Sequence, residues 1–99
     1  PLLSLGAKGV ISVLSNVRPK RTLQMVRACQ AGDYTAAGRM QVALTPLIDA
    51  LFSEINPIPV KQALSLMGIP AGLPRLPLTP LSATHLPALE QALSAAPEP

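Results

Sequence analysis

Val10-Ile11-Ser12-Val13-Leu14 is a short apolar, largely β-branched run, with Gly9 before it and Asn16 after it. A strand covered on both faces shows no clean alternation of apolar and polar side chains, so the run predicts a buried strand. No other stretch of the chain reads as a strand. That constrains the fold more than any other feature, because a lone strand leaves its own N–H and C=O groups without partners. It needs a neighbour on each side, and the remaining sequence offers none. The expectation is a piece of something larger.

The rest of the chain reads as helix and proline-rich connection. Pro19 suits the first position of a helix, where its missing N–H costs nothing, and that helix is expected to run to about Ala31. Leu23, Val26 and Gln30, with Met25 and Cys29 beside them, would form its mixed apolar face. Gly32 is the expected stop and Asp33 the N-cap of the next helix. There, Ala37, Met40, Leu44, Leu47 and Leu51 step by three and four, with Ile48 and Phe52 widening the stripe. Pro46 should kink that helix. A short helix is expected from Pro59 to before Gly68, with Ala63, Leu64 and Met67 inward. Ile69 to Leu81 is irregular, and its leucines Leu73, Leu76, Leu78 and Leu81 are expected to lie against the protein. Ser82 can cap a last helix that begins near Leu86, with Leu86, Leu89 and Leu93 buried. Ala95 to Pro99 should fray. The chain is mostly α as it stands.

Composition excludes several classes. Hydrophobic residues make up 48% of the 99 residues, but only Tyr34 and Phe52 are aromatic, so the core must be Leu, Ala, Val, Ile and Met. The net charge of +3 has a single basic cluster, Arg18-Pro19-Lys20-Arg21, with no aromatic interleaved for base stacking. It reads as a solvated helix start, and no nucleic-acid partner is expected. Cys29 is alone, which leaves no disulfide or zinc site within one chain and fits a reducing, cytoplasmic compartment. No membrane span is expected, and Pro1–Leu5 is too short for a signal segment.

Three blocks carry a family resemblance. Gly6-Ala7-Lys8-Gly9-Val10-Ile11-Ser12-Val13 followed by Ser15-Asn16-Val17 resembles the last barrel strand of the dihydrodipicolinate synthase family. Asn56-Pro57-Ile58-Pro59-Val60-Lys61 is similar to that family's segment leading into a helix. Arg75-Leu76-Pro77-Leu78-Thr79-Pro80-Leu81 is similar to its proline-rich turn before the last helix. The final strand of sister families such as N-acetylneuraminate lyase reads less like this one. A (β/α)₈ TIM barrel needs roughly 250 residues, so the resemblance implies the C-terminal segment of such a subunit. Residues 1–32 would end the barrel: the end of its seventh helix closed by Gly6, its eighth strand and its eighth helix. Residues 33–99 would form a C-terminal helical extension.

The resemblance further implies a class I aldolase that condenses pyruvate with aspartate semialdehyde on the way to diaminopimelate and lysine. The Schiff-base lysine, the proton-shuttling tyrosines and the carboxylate-binding arginine of the family all lie upstream of Pro1, so this segment carries no catalytic residue and should be inert alone. No cofactor and no metal are implied. Ile11 matches the strand residue whose backbone carbonyl borders the pyruvate site, with Gly9 and Ser12 shaping that wall. Leu5 matches a contact in the family's homo-oligomer, a dimer of dimers.

The remaining candidates have plainer readings. Lys8, Lys20 and Lys61 are the only lysines, and a Schiff-base lysine needs a desolvated pocket. Tyr34, at a helix start, is a packing residue. His85 has no metal-binding neighbour at ligand spacing, since Glu90 is five residues away, and reads as a capping or surface histidine. Pro1 as a catalytic amine would need a second strand. The alternative to the aldolase segment is a small helical interaction module with no catalytic activity.

Overall fold

The computed structural model describes all residues, Pro1–Pro99. A 3₁₀ turn, Leu2–Leu5, opens the chain and ends at Gly6, whose φ of 102° is open to glycine at no steric cost. Five α-helices follow: α1 (Leu14–Val17), α2 (Pro19–Gln30), α3 (Tyr34–Leu51), α4 (Ile58–Leu66) and α5 (Leu86–Ala95). There is no strand. The run predicted as one divides instead, with Ala7–Ser12 irregular and Leu14 already in α1. The reason is the one raised by the sequence: strand geometry needs ladder partners, and this chain has no second strand to provide them.

The expected ends of α2 and the start of α3 hold, whereas α4 begins one residue before Pro59 and α5 is preceded by His85, with no side-chain cap from Ser82. Pro19 is the first residue of α2. Gly32 takes a φ of 79° just past it, and the Asp33 carboxylate caps α3 by accepting from the Ala36 N–H at 2.9 Å. α3 runs through Pro46 as one helix of 18 residues. Ala37, Leu44, Leu47 and Leu51 are buried as the stripe predicts, joined by Ala50. Phe52 is the residue after α3 and is exposed. On α2 the buried residues are Thr22 and Val26, while Leu23 is exposed. The axis of that face is therefore shifted from the expected one, because Thr22 satisfies its hydroxyl internally, donating to the Arg18 carbonyl at 2.9 Å.

α1 is the hub. Leu14 and Val17 are buried with Leu44, Leu47 and Leu51 of α3, Val60 and Ala63 of α4, and Leu89, Ala92 and Leu93 of α5 in one apolar cluster. A four-residue helix has almost no stability of its own, so it is held by this burial. α5 begins at Leu86, as expected, and buries Leu89 and Leu93. In the irregular stretch before it, Leu78 and Leu81 are half-buried, but Leu73 and Leu76 are exposed. Leu76 sits at the tip of a turn closed by the Leu78 N–H and the Arg75 carbonyl at 3.0 Å, and a turn tip points away from the core. Met67, expected inward, lies just past α4 and is exposed.

Candidate functional site

The residues before α1 form the most unusual surface. Ile11 is fully exposed and Val10 half-exposed. The backbone groups of Gly9, Val10 and Ile11 neither donate nor accept a hydrogen bond within the chain. On either side of them the chain is tethered. Upstream, Gln30 Nε2 of α2 donates to the Lys8 carbonyl at 3.0 Å. Downstream, Ser15 Oγ donates to the Ser12 carbonyl at 2.6 Å, and the Asn16 N–H to the Val13 carbonyl at 3.1 Å. Ile11 borders an apolar groove of about 340 Å³, with Val13, Met25, Ile48 and Phe52 among its lining residues. Lys8 and Gly9 are exposed and Ser12 is half-buried beside Ile11. Leu5, at the end of the 3₁₀ turn, is also exposed.

Arg18 is the residue the sequence placed wrongly. In a basic cluster at a helix start it was expected in solvent, yet only 6% of it is exposed. Its guanidinium fork donates to the carbonyls of Ala96 and, at 2.6 Å, Leu93, and also to Val17 at 2.7 Å. Those carbonyls end α5 and α1, where helix C-termini leave acceptors free and favour positive charge. Burial pushes the guanidinium below its ordinary pKa, Glu98 opposes that shift, and Arg21 adds to it; an arginine remains charged throughout. The tail does not fray. Arg21 holds the Pro97 carbonyl, Glu98 Oε2 accepts from the Lys20 N–H at the start of α2 at 3.1 Å, and Lys20 Nζ reaches the Pro99 carbonyl at 3.2 Å.

A second polar cluster joins the loop after α3 to the start of α5. His85 Nδ1 is 2.8 Å from Glu54 Oε1, and the Ser82 N–H donates to the same oxygen at 3.0 Å. Ser82 Oγ lies 3.1 Å from His85 Nδ1. Hydrogen bonds, from His85 first and then Ser82, hold the Glu54 carboxyl down to about 2. Serine, histidine and carboxylate together suggest nucleophilic catalysis, but a relay needs the hydroxyl and the carboxylate on opposite ring nitrogens. Here both meet Nδ1, so the cluster is a cross-link between the loop after α3 and the residues leading into α5, and not a catalytic triad. Glu54 was missed in the sequence because its partners come from beyond Leu81, outside any local spacing.

The other candidates are dispersed. Lys8 and Lys20 are exposed and Lys61, on α4, is half-buried beside Gln62 and Ser65. Tyr34 is half-exposed at the first position of α3. Cys29 is half-buried on α2. No group of three or more His, Cys, Asp or Glu gathers as metal ligands. No helix is long and apolar enough to cross a membrane.

Comparison with known proteins places these features in context. A sequence-family model described as the Dihydrodipicolinate synthetase family matches residues 1–96. A 4-hydroxy-tetrahydrodipicolinate synthase of an Exiguobacterium species is 52% identical over 95 residues, spanning 92% of this chain and 32% of the relative. The crystal structure of the Cyanidioschyzon merolae enzyme with lysine bound superposes with a TM-score of 0.91 at 42% identity, over 96% of this chain and 32% of that one. The chloride-inhibited Acinetobacter baumannii enzyme complexed with pyruvate gives 0.88 at 42% identity, over 95% and 32%. The chain thus spans about a third of the length of the relatives it matches.

Proposed function

The chain belongs to the dihydrodipicolinate synthetase family, and on that premise we propose that it works as the closing third of a pyruvate-dependent aldolase subunit. In this reading residues 1–32 complete a (β/α)₈ barrel and residues 33–99 form the helical extension that covers its flank. The reaction is the condensation of pyruvate with aspartate semialdehyde in the cytoplasm, on the way to diaminopimelate and lysine. The observation that carries the proposal is the bare backbone of Gly9–Ile11. Its N–H and C=O groups are unpaired and its side chains apolar and exposed, as a barrel strand would be without its two neighbours.

Within the whole subunit each feature has a task. A lysine outside this segment forms the iminium with pyruvate, which acts as an electron sink and makes the methyl group acidic. The Ile11 carbonyl borders the pyruvate and accepts a hydrogen bond from the proton-shuttling hydroxyl or from the substrate. Its place suits that task, because reacting groups in this fold sit at the C-terminal ends of barrel strands. Leu5, exposed here, packs against another copy in a dimer of dimers. The tethers from Arg18 to α5 and from Glu54 to His85 hold the extension as one body against α1 and α2. The 99 residues alone carry no activity, since none of their three lysines is enclosed.

The test is condensation of pyruvate with aspartate semialdehyde by the full-length subunit that contains this segment. Activity that is lost when residues 1–99 are deleted supports the proposal. A full-length subunit inactive on this pair, or one whose activity survives the deletion, overturns it.

A further inference from the structure

We propose that this chain is a preformed docking module: residues 13–99 fold without the rest of the subunit, and the segment before α1 then seats on the upstream part of the subunit with no need of a peptide bond between the two. This rests on the aldolase reading above. The core disregards the architectural boundary at residue 32. Leu14 and Val17, from the barrel portion, are buried in one cluster with Leu44, Leu51, Ala63 and Leu89 of the extension, and Val13 packs against it. The polar tethers cross the same boundary. Arg18 donates to the Leu93 carbonyl at 2.6 Å, and the Lys20 N–H to Glu98 Oε2 at 3.1 Å. No residue before Leu14 is buried. A segment with a hydrophobic core of its own, closed without help from the residues ahead of it, has what an independently folding unit needs.

Ahead of that core, a strand-binding edge and an apolar groove lie side by side. Gly9–Ile11 of the separate chain offer backbone donors and acceptors that have no partner in it. Beside them is the groove of about 340 Å³ lined by Val10, Ile11, Met25 and Phe52, and Ile11 and Phe52 are exposed. An occupant must bring extended backbone to pair with the edge and apolar side chains to fill the groove. The upstream part of the subunit is that occupant. This chain spans only 32% of the Exiguobacterium relative, so most of such a subunit lies outside residues 1–99, and in the aldolase reading it supplies a neighbouring strand on each side. Strand pairing and groove filling need contacts rather than chain continuity. The peptide link adds only effective concentration.

Two experiments on the full-length subunit test the docking. In one, a protease recognition sequence is inserted immediately before Pro1 and cut after folding. The two pieces are expected to co-elute in size exclusion and to turn over pyruvate within about twofold of the uncut subunit, since only effective concentration is lost. Pieces that separate, or that co-elute without turnover while the uncut subunit is active, overturn the proposal. In the other, hydrogen exchange compares the unmodified subunit with the 99-residue chain diluted to monomer, so nothing depends on the inserted sequence. The amides of α3 and α5 should be protected in both proteins, whereas those of Gly9–Ile11 should exchange roughly a hundredfold or more slowly in the subunit than in the free chain. Unprotected α3 and α5 in the free chain, or Gly9–Ile11 amides that exchange equally fast in both proteins, overturn the proposal. An uncut subunit that does not use pyruvate overturns the aldolase reading, and co-elution and exchange still decide the docking.

Discussion

His85 Nδ1 stands 2.8 Å from Glu54 Oε1 and links the loop after α3 to the residue that precedes α5, across 31 residues of sequence. With Ser82, whose N–H donates to the same oxygen, the pair ties down the end of the proline-rich stretch before α5. It also fixes how the fold responds to acid.

Glu54 is held at about 2 in the folded state, against about 4.3 for a free glutamate. A depressed carboxylate stabilises the fold fully above the unfolded value, and the contribution is lost as pH falls from about 4.3 towards 2. Thermal unfolding followed over that window should show a fall in midpoint that a Glu54→Gln variant does not share. Equal acid slopes in both proteins would remove Glu54 from the account.

Arg18→Met replaces a buried fork by an apolar chain and leaves the Leu93 and Ala96 carbonyls without their donor. Truncating a buried, charge-assisted hydrogen-bonding partner costs about 2–4 kcal/mol. Arg18→Lys should recover only part of this, since an ammonium cannot span two separated carbonyls as a planar fork does. Chemical denaturation of the three proteins checks both points, and a loss below about 0.5 kcal/mol for Arg18→Met would place the residue outside the core, among surface sites.

Leu47 is fully buried at the centre of the apolar cluster, while Leu76 is exposed at a turn tip. Leu47→Ala should cost about 2–5 kcal/mol through lost burial and the cavity left behind. Leu76→Ala should stay within about 0.5 kcal/mol. The contrast is read from denaturation midpoints at constant slope.

Much of the helical architecture was legible because its signals are local. Pro19, Gly32 and Asp33 mark ends through their own backbone chemistry, and Leu44, Leu47 and Leu51 repeat at helical spacing. Three features were not legible, each because its cause lies elsewhere in the chain or outside it. Val10 to Leu14 have strand composition, but a strand is a property of at least two segments. Arg18 reads as a surface charge until the carbonyls at the end of α5, over 70 residues later, are brought to it. Glu54 in a linker and His85 before a helix gave no sign of each other. The candidate site itself was reached through the resemblance carried by residues 6–17, since an apolar strand has no chemistry of its own to recognise.

The unpaired backbone of Gly9–Ile11 predicts that the 99-residue chain alone associates with itself through this segment, as exposed strand edges do. Sedimentation velocity over a range of concentrations should show reversible association, and Ile11→Lys should shift the chain towards monomer. A monomer at all concentrations would mean that this segment is content without neighbours.

The central claim, that this chain is the closing third of a Schiff-base aldolase and does not hold the reacting lysine, is tested most directly by trapping with pyruvate and borohydride, followed by intact mass and peptide mapping. The account predicts one reduced pyruvate adduct on the full-length subunit, on a lysine outside residues 1–99, and none on the 99-residue chain. An adduct on Lys8, Lys20 or Lys61, or a full-length subunit that traps no pyruvate, would contradict it.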